Sequence, residues 1–257
     1  MISNFHTHTF RCHHAKGSER DYVIAAINAG IKYLGFSDHS PYYFPDGYYS
    51  HFRMSPDEVT EYVGEIIKLR EEFKDHIKIY IGYEAEYYPE YFEKTFEIWD
   101  RAPYDYLIMG QHFIGNEIGE QHSAKPTEDT RVLDRYVEQV IEGMRTGRFF
   151  YIAHPDVLNI TCDGDCYEEK MTLLCKEAKK LDIPLEINML GLRERRSYPD
   201  ARFWKIAGKI GNTAILGCDA HDPSHIAVPE NVDEALRWAD RFGVEVIEPT
   251  EPIKIRF

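Results

Sequence analysis

Cysteine is scarce in this sequence, and long apolar runs are missing. The 257 residues include five cysteines, an odd number at irregular spacings, which predicts reduced thiols and no disulfide framework. No stretch reaches the ~18 apolar residues of a membrane-spanning helix. Residues 1–6 lack the basic start and apolar core of a secretory signal. We therefore expect a cytoplasmic protein without a membrane partner.

Basic residues are also in deficit. The chain has 30 lysines and arginines against 44 aspartates and glutamates, a formal net charge of −14. Non-specific binding of nucleic acid depends on clustered Lys and Arg, so this balance argues against a nucleic-acid partner. An anionic small molecule stays compatible with the composition, because bound metal cations can make a site locally positive.

Several familiar catalytic motifs do not occur. The sequence has no GxGxxG, GxxxxGK[ST], HExxH or GxSxG, and this removes the dinucleotide-binding, P-loop, zincin and α/β-hydrolase interpretations. Any catalytic chemistry must therefore be sought in the placement of individual side chains.

Short β-branched and aromatic segments alternate with helical patterns along the whole chain. This alternation is typical of repeated βα units around a parallel sheet. Because α/β barrels routinely take about 250 residues, we expect a single domain over residues 1–257. The predicted strands cover residues 2–6, 33–37, 77–84, 106–110, 149–153, 185–188 and 214–218, with a short final strand near 244–247.

The clearest predicted helix covers residues 56–73. Ser55 is its N-cap, Pro56 its first residue, and Glu58 completes a capping box. A second clear pattern covers 127–144, and weaker helices are predicted at 19–29, 90–99, 168–181, 201–210 and 232–242. The Tyr- and Pro-rich stretch 41–50 has no period, so we expect a long loop over one barrel face, where loops often form or cover active sites.

Seven of the twelve histidines lie at or just beyond the C-terminal end of a predicted strand. Barrel enzymes build their active sites on that face. His6 and His8 end the first strand as His-x-His and point the same way, because residues two apart on a strand share a face. The other polar residues at such ends are His14, Asp38, His39, Glu84, Glu86, His112, His154, Asp219 and His221.

Imidazoles and carboxylates without thiolates suit zinc, iron or manganese. Seven histidines and two or more carboxylates are enough for two or three ions, and clustered ions are common in phosphoryl chemistry. A lone histidine is more often structural, and we assign that role to His51, His76 and His225. The placement of all seven at one face is what indicates a metal centre.

The order His-x-His, later His, Asp-His, Glu, His, His-Pro and Asp-x-His resembles the polymerase-and-histidinol-phosphatase (PHP) family over residues 6–221. The spacing is similar to its histidinol-phosphate phosphatase branch, with His14 eight residues after His6, Glu-Ile-Asn at 186–188, and Gly-Leu-Arg at 191–193 before Tyr198-Pro199. The resemblance implies a distorted (β/α)7, TIM-like barrel that holds three divalent transition-metal ions, zinc, manganese or iron.

Carried over residue by residue, the resemblance implies three ligand sets with Glu84 shared between the first two. These sets are His6, His8, Glu84 and Asp219; Glu84, His112 and His154; and His14, His39 and His221. Asp38, Glu84 and His221 are the implied catalytic residues, with Asp38 beside the cluster as an orienting or proton-transfer group. A hydroxide that bridges the first two ions would attack phosphorus in line.

Arg193 is the candidate for a bidentate phosphate contact, a geometry that Lys cannot reproduce. The alternative is that Arg193 is a solvated residue of the charged run 193–196, and that Arg195 or Arg196 holds the phosphate. The chain departs from the branch at residues 157–160, Val-Leu-Asn-Ile, where the branch has a basic residue. A second phosphate-binding cation is therefore missing from this chain or comes from elsewhere in it.

The resemblance implies hydrolysis of L-histidinol phosphate in histidine biosynthesis. A PHP hydrolase of nucleotides or DNA ends stays open as an alternative. An amidohydrolase-type barrel also begins with His-x-His, but it typically bridges two metals with a lysine, and here Glu84 and His112 occupy the corresponding positions. A non-enzymatic metal-binding protein is disfavoured, because none of the expected ligands is missing.

Overall fold

The computed structural model describes residues 1–162 and 164–252, so residues 253–257 of the expected single domain lie outside the description. Its strands all pair in parallel and form a curled α/β sheet in two parts, in the orders β1-β2-β3-β4 and β5-β6-β7. The strands are β1 (Ser3–Asn4), β2 (Tyr33–His39), β3 (Lys78–Ala85), β4 (Tyr106–Met109), β5 (Leu185–Asn188), β6 (Thr213–Gly217) and β7 (Glu245–Val246).

The helices follow the strands and pack on the outside of the sheet. They are α1 (Glu19–Asn28), α2 (Val59–Glu72), α3 (Phe92–Trp99), α4 (Thr130–Arg145), α5 (Gly164–Leu181), α6 (Met189–Glu194), α7 (Ala201–Ile210) and α8 (Pro229–Phe242). The capping box at Ser55 and Glu58 is present, although it opens a 3-10 turn that leads into α2. Within the described ranges, every helix falls short, in length or in apolar character, of what crossing a bilayer requires.

Two predicted strands are shorter than expected. The first strand ends at Asn4. There the side chain of Asn4, rather than its backbone, bonds to the segment after β6: Asn4 Oδ1 accepts a hydrogen bond from Cys218 N at 2.9 Å. The expected strand at 149–153 is reduced to isolated parallel bridges of Ile152 with Met109 and Leu185. Backbone hydrogen bonds still join this segment to both neighbours, with Ala153 N donating to Met109 O at 2.9 Å and Glu186 N donating to Ile152 O at 2.9 Å.

Helix boundaries also differ from the expectations. Helix α4 begins three residues later than predicted, because Asp129 caps it by accepting from Arg131 N. The short helix α6 was not predicted, and it follows β5 directly with Asn188 as its N-cap. The predicted loop at 41–50 holds a single 3-10 turn at Pro45–Gly47 and is otherwise irregular.

An aromatic cluster fills the inside of the curled sheet. Tyr106 lies at its centre and donates from its hydroxyl to Phe5 O at 2.9 Å and to Phe36 O at 3.0 Å. A Cβ at Gly35 or Gly82 would clash with the Tyr106 ring, so these glycines make room for it. The packed interior holds the strands in place, and the polar residues at their C-terminal ends are positioned by it.

Candidate metal centre

Glu84 lies at the centre of the polar cluster. Strand β3 is paired on both sides, with β2 and β4, so the backbone that carries Glu84 is fixed. Its Oε1 lies 2.8 Å from His154 Nε2 and 3.5 Å from both His6 Nε2 and His112 Nε2. The single carboxylate therefore meets side chains that come from three different segments of the chain.

Four of the expected ligands form one group. His6 Nε2 and His8 Nε2 lie 3.1 Å apart, and Asp219 Oδ1 lies 3.1 Å from His8 Nε2 and 3.6 Å from His6 Nε2. Glu84 Oε2 is 3.6 Å from His8 Nε2. A parallel bridge between Thr7 and Ala220 brings the first and last segments together, so Asp219 meets the His-x-His pair.

A third group lies beside these two. His14, His39 and His221 offer ring nitrogens within 4.8 Å of one another. The ring of His14 stacks on that of His221 with centroids 4.8 Å apart, and His8 stacks on the other side of His221 at 4.0 Å. The structure therefore brings together all nine residues for which the sequence predicts metal binding.

Unpaired atoms in this cluster fit metal ligation. Glu84 Oε2, His39 Nδ1, His154 Nδ1 and Asp219 Oδ1 are buried without a hydrogen-bond partner among the described residues. His39 Nδ1 lies 3.0 Å from Glu84 Oε2, yet the two lack the alignment of a hydrogen bond. Buried polar atoms are almost always satisfied, and atoms that converge without bonding one another are suited to a shared cation.

Charge in the cluster favours the same interpretation. Burial alone would raise the pKa of Glu84, but the surrounding histidines hold it well below its ordinary value. Burial alone would lower the pKa of His8, but Asp219 and Asp38 raise it to about 9. The neighbouring histidines likewise hold the pKa of Asp219 well below its ordinary value, so Glu84 and Asp219 are ionised, and their negative charge lies where a cation would compensate it.

Carboxylates also lie behind three of the histidines. Glu186 Oε1 is 2.7 Å from His6 Nδ1, Asp38 Oδ1 is 3.3 Å from His8 Nδ1, and this leaves Nε2 of each ring facing the cluster. Glu86 Oε1 is 3.0 Å from His112 Nδ1. This arrangement is the usual support of a metal-binding histidine. The sequence pattern did not assign such a role to Glu186, although the Glu-Ile-Asn segment contains it.

The backbone is strained or tightly packed at several points of the cluster. His154 and Asp219 adopt positive φ angles of 29° and 45°, which are uncommon for residues other than glycine, although Asp and His adopt them more readily than most, and which are often found at functional sites. A Cβ at Gly110 would overlap the Glu84 carboxyl, and one at Gly217 would overlap that of Glu186. Two glycines therefore make room for the central carboxylates.

A cavity of about 250 Å³ opens onto the cluster. Its wall includes Phe52, His122, Leu190, Glu194, Arg196 and Tyr198, in addition to ligand candidates. His122 follows no predicted strand, and the sequence pattern gave no signal for it. His51, His76 and His225 are outside the ligand groups found among the described residues.

Arg193 and Arg196 occupy different positions. Arg193 is not among the residues that line the cavity, and its Nη2 lies 3.8 Å from Glu194 Oε1. Arg196 lines the cavity and donates from Nη1 to the Tyr198 hydroxyl at 3.0 Å, while its Nη2 lies 2.7 Å from Glu194 Oε2. Arg196 therefore lies on the wall of the cavity, whereas Nη1 and Nη2 of Arg193 are buried without a hydrogen-bond partner among the described residues.

Comparison with known proteins gives three findings. The family model described as PHP domain matches residues 4–189. The chain is 29% identical to a probable histidinol-phosphatase of Deinococcus radiodurans over 234 residues, which cover 88% of each chain. It is 34% identical to the histidinol-phosphatase of Lactococcus lactis over 110 residues, which cover 42% of this chain and 39% of that protein. It shares the fold of a Lactococcus lactis histidinol phosphate phosphatase solved with zinc, L-histidinol and phosphate, with a TM-score of 0.76, 21% identity, and coverage of 100% of this chain and 99% of that one.

Proposed function

This chain belongs to the PHP domain family, and from that premise we propose that it is a metal-dependent phosphomonoesterase that hydrolyses L-histidinol phosphate to L-histidinol and phosphate. The observation that carries the proposal is the convergence of seven histidines and two carboxylates beside a cavity of small-molecule size. The names of the relatives in Deinococcus radiodurans and Lactococcus lactis support the choice of substrate.

Nine side chains would hold three divalent ions, zinc, manganese or iron. His6, His8, Glu84 and Asp219 hold one ion; Glu84, His112 and His154 hold a second; His14, His39 and His221 hold a third. The first set is supported by the close approach of His6, His8 and Asp219, and the third by that of His14, His39 and His221. The second is supported by the distances of His154 Nε2 and His112 Nε2 from Glu84 Oε1, 2.8 Å and 3.5 Å. When bound, divalent cations generate a strong nucleophile from water at neutral pH and neutralise charge on the phosphoryl oxygens.

Asp38 acts by orienting its neighbours. The backbone N of His39 donates to its Oδ1 at 2.9 Å, His8 Nδ1 lies 3.3 Å from the same atom, and the Thr9 hydroxyl donates to Oδ2. A carboxylate that is buried and so fully engaged is better suited to hold His8 in one tautomer than to exchange protons with a substrate. Glu84 and His221 act as ligands at the reacting centre.

Arg196 is the arginine that we assign to the substrate. It lies on the cavity wall, and its partner Glu194 is 44% exposed, so a phosphate could displace that contact at low cost. A planar guanidinium can bind two phosphoryl oxygens at once. The partner is a small phosphomonoester rather than a nucleic acid, since the chain carries a net charge of −14.

The same proposal includes one domain over residues 1–257 and a barrel of seven βα units. Residues 149–153 are the fifth strand of these units, β5 and β6 are the sixth and seventh, and β7 is a short additional strand after the last unit. The backbone hydrogen bonds of residues 149–153 to both neighbours support that count. A cytoplasmic location is part of the proposal, because a step of amino-acid biosynthesis takes place there.

The test is a substrate screen of the protein reconstituted with zinc, manganese or iron. We expect kcat/KM for L-histidinol phosphate to exceed that for nucleotides, sugar phosphates and aryl phosphates by a factor of roughly a hundred or more, because recognition of an amine and an imidazole adds to shared phosphate binding. Equal turnover of nucleotides or DNA ends would leave the family in place and remove the biosynthetic role. Turnover of amides alone would point to amidohydrolase chemistry.

A further inference from the structure

We propose that Arg53 and Glu86 form a positioning pair that fixes the ring of His112 for metal binding. The inference rests on the proposed role of His112 as a ligand, and it assigns a function to two residues that are not themselves ligands. Arg53 comes from the segment between β2 and α2, and it is 2% exposed. A buried guanidinium at the edge of a metal centre requires an explanation, because its desolvation is costly unless it is paired.

The pairing of Arg53 with Glu86 is bidentate. Arg53 Nη1 donates to Glu86 Oε2 and Nη2 donates to Glu86 Oε1, each at 3.0 Å. Two parallel bonds from a planar donor fix the plane of the carboxylate as well as its position. Glu86 is thereby held as an oriented acceptor on the segment that directly follows β3.

The oriented carboxylate then determines the state of His112. Glu86 Oε1 lies 3.0 Å from His112 Nδ1, and an ionised carboxylate can only accept hydrogen bonds. In the neutral ring that a metal requires, His112 Nδ1 therefore carries the proton, which leaves the lone pair of Nε2 directed to the centre, 3.5 Å from Glu84 Oε1. The pair selects the one neutral tautomer that can bind a metal through Nε2.

Arg53 also joins the segments that follow β2 and β4. Its Nη1 donates to Ser40 O at 3.0 Å, and its Nε and Nη2 donate to Glu117 Oε2 at 2.9 Å and 2.7 Å. Tyr48 donates to the other oxygen of Glu117 at 3.2 Å. A lysine has one donor group and cannot make these contacts together, so the position is specific for arginine.

The simpler explanation is that Arg53 and Glu86 only stabilise the fold. The chain offers a matched case in the ion pair of Arg11 and Glu19, whose residues are 2% and 3% exposed. The other ion-pair partner of Arg11 is Glu61 on α2, and the described contacts of this pair include no histidine. Changes in the two pairs should therefore have similar effects on folding and different effects on metal binding.

The experiment compares Glu86→Gln and Arg53→Lys with Glu19→Gln in zinc-loaded protein. Zinc affinity is measured by competition with a chromogenic chelator, and the histidine ring protons are observed in long-range ¹H–¹⁵N spectra. We expect Glu86→Gln and Arg53→Lys to lower the affinity for one zinc ion by roughly 10–100-fold. Both should also shift or remove the Nδ1 proton signal of His112. Glu19→Gln should retain every zinc affinity while its melting temperature falls.

Unchanged zinc affinities and an unchanged His112 signal in both test variants would overturn the inference and leave a structural ion pair. Glu86→Gln keeps the shape of the side chain, so it decides the matter if Arg53→Lys does not fold. The outcome does not depend on the substrate. Wild-type protein that binds zinc but does not hydrolyse histidinol phosphate would overturn the proposed function and leave this inference standing.

Discussion

His154 Nε2 lies 2.8 Å from Glu84 Oε1, although the two residues are 70 positions apart in the sequence. His154 follows the segment that bridges the two parts of the sheet, and Glu84 is near the end of β3. Their contact therefore joins two segments that are distant in the sequence. Because other candidate ligands meet the same carboxylate, we expect metal binding to depend on Glu84 more than on any other residue.

Replacing Glu84 by glutamine should remove most bound metal and most activity. A neutral amide cannot bridge two cations as a carboxylate does, so the loss should exceed the roughly 10–100-fold effect typical of residues behind the ligands. Glu86→Gln should have the smaller effect, confined to the ion that His112 is proposed to hold. Elemental analysis and kcat/KM for both variants check this order, and the reverse order would move the bridging role to Glu86.

Purified protein should contain two to three transition-metal ions per chain. The expectation comes from nine ligand candidates in one cluster, several of which have buried atoms that lack hydrogen bonds. Removal of the ions by a chelator should abolish hydrolysis, and addition of zinc, manganese or iron should restore it. A metal-free preparation with full activity, verified by mass spectrometry of its metals, would contradict the assignment.

Gly110→Ala should damage the centre without touching a ligand. An added Cβ would overlap the Glu84 carboxyl and force it out of place. We expect reduced metal content together with a loss of about 1–3 kcal/mol in the free energy of unfolding. Gly64→Ala is the control: it lies in α2 with no atom near its added Cβ, and should stabilise by about 0.5–1 kcal/mol. Equal metal content in both variants would show that the centre tolerates the overlap.

Arg196→Ala should raise KM and lower kcat for every phosphomonoester to a similar degree, because the side chain would contact the phosphate that all of them share. Arg193→Ala should have the smaller effect, since Arg193 does not line the cavity. Steady-state kinetics on histidinol phosphate and an aryl phosphate decide between them. If only Arg193→Ala impairs turnover, the original sequence-based assignment is right; if neither does, the metals hold the phosphate alone.

Local patterns were sufficient for most of the strands and helices. Period, capping residues and β-branched runs placed β2, β3, β4, β5 and β6 to within a few residues, because these signals act over short distances. The failures had tertiary causes. The side chain of Asn4 replaced backbone pairing in the first strand, and Ile152 made only isolated bridges between two neighbours.

The sequence by itself determined the set of candidate ligands, since their spacing at strand ends follows from the two-residue period of a strand and from the family pattern. Apart from Asp38, which the resemblance already placed beside the cluster, only the tertiary structure decided which residues support them. Glu186 behind His6, Arg53 with Glu86 behind His112, and Arg196 on the cavity wall are separated in sequence from the atoms they serve. Such contacts depend on how β-strands and loops far apart in the chain are packed together, and no local pattern in the sequence records that packing.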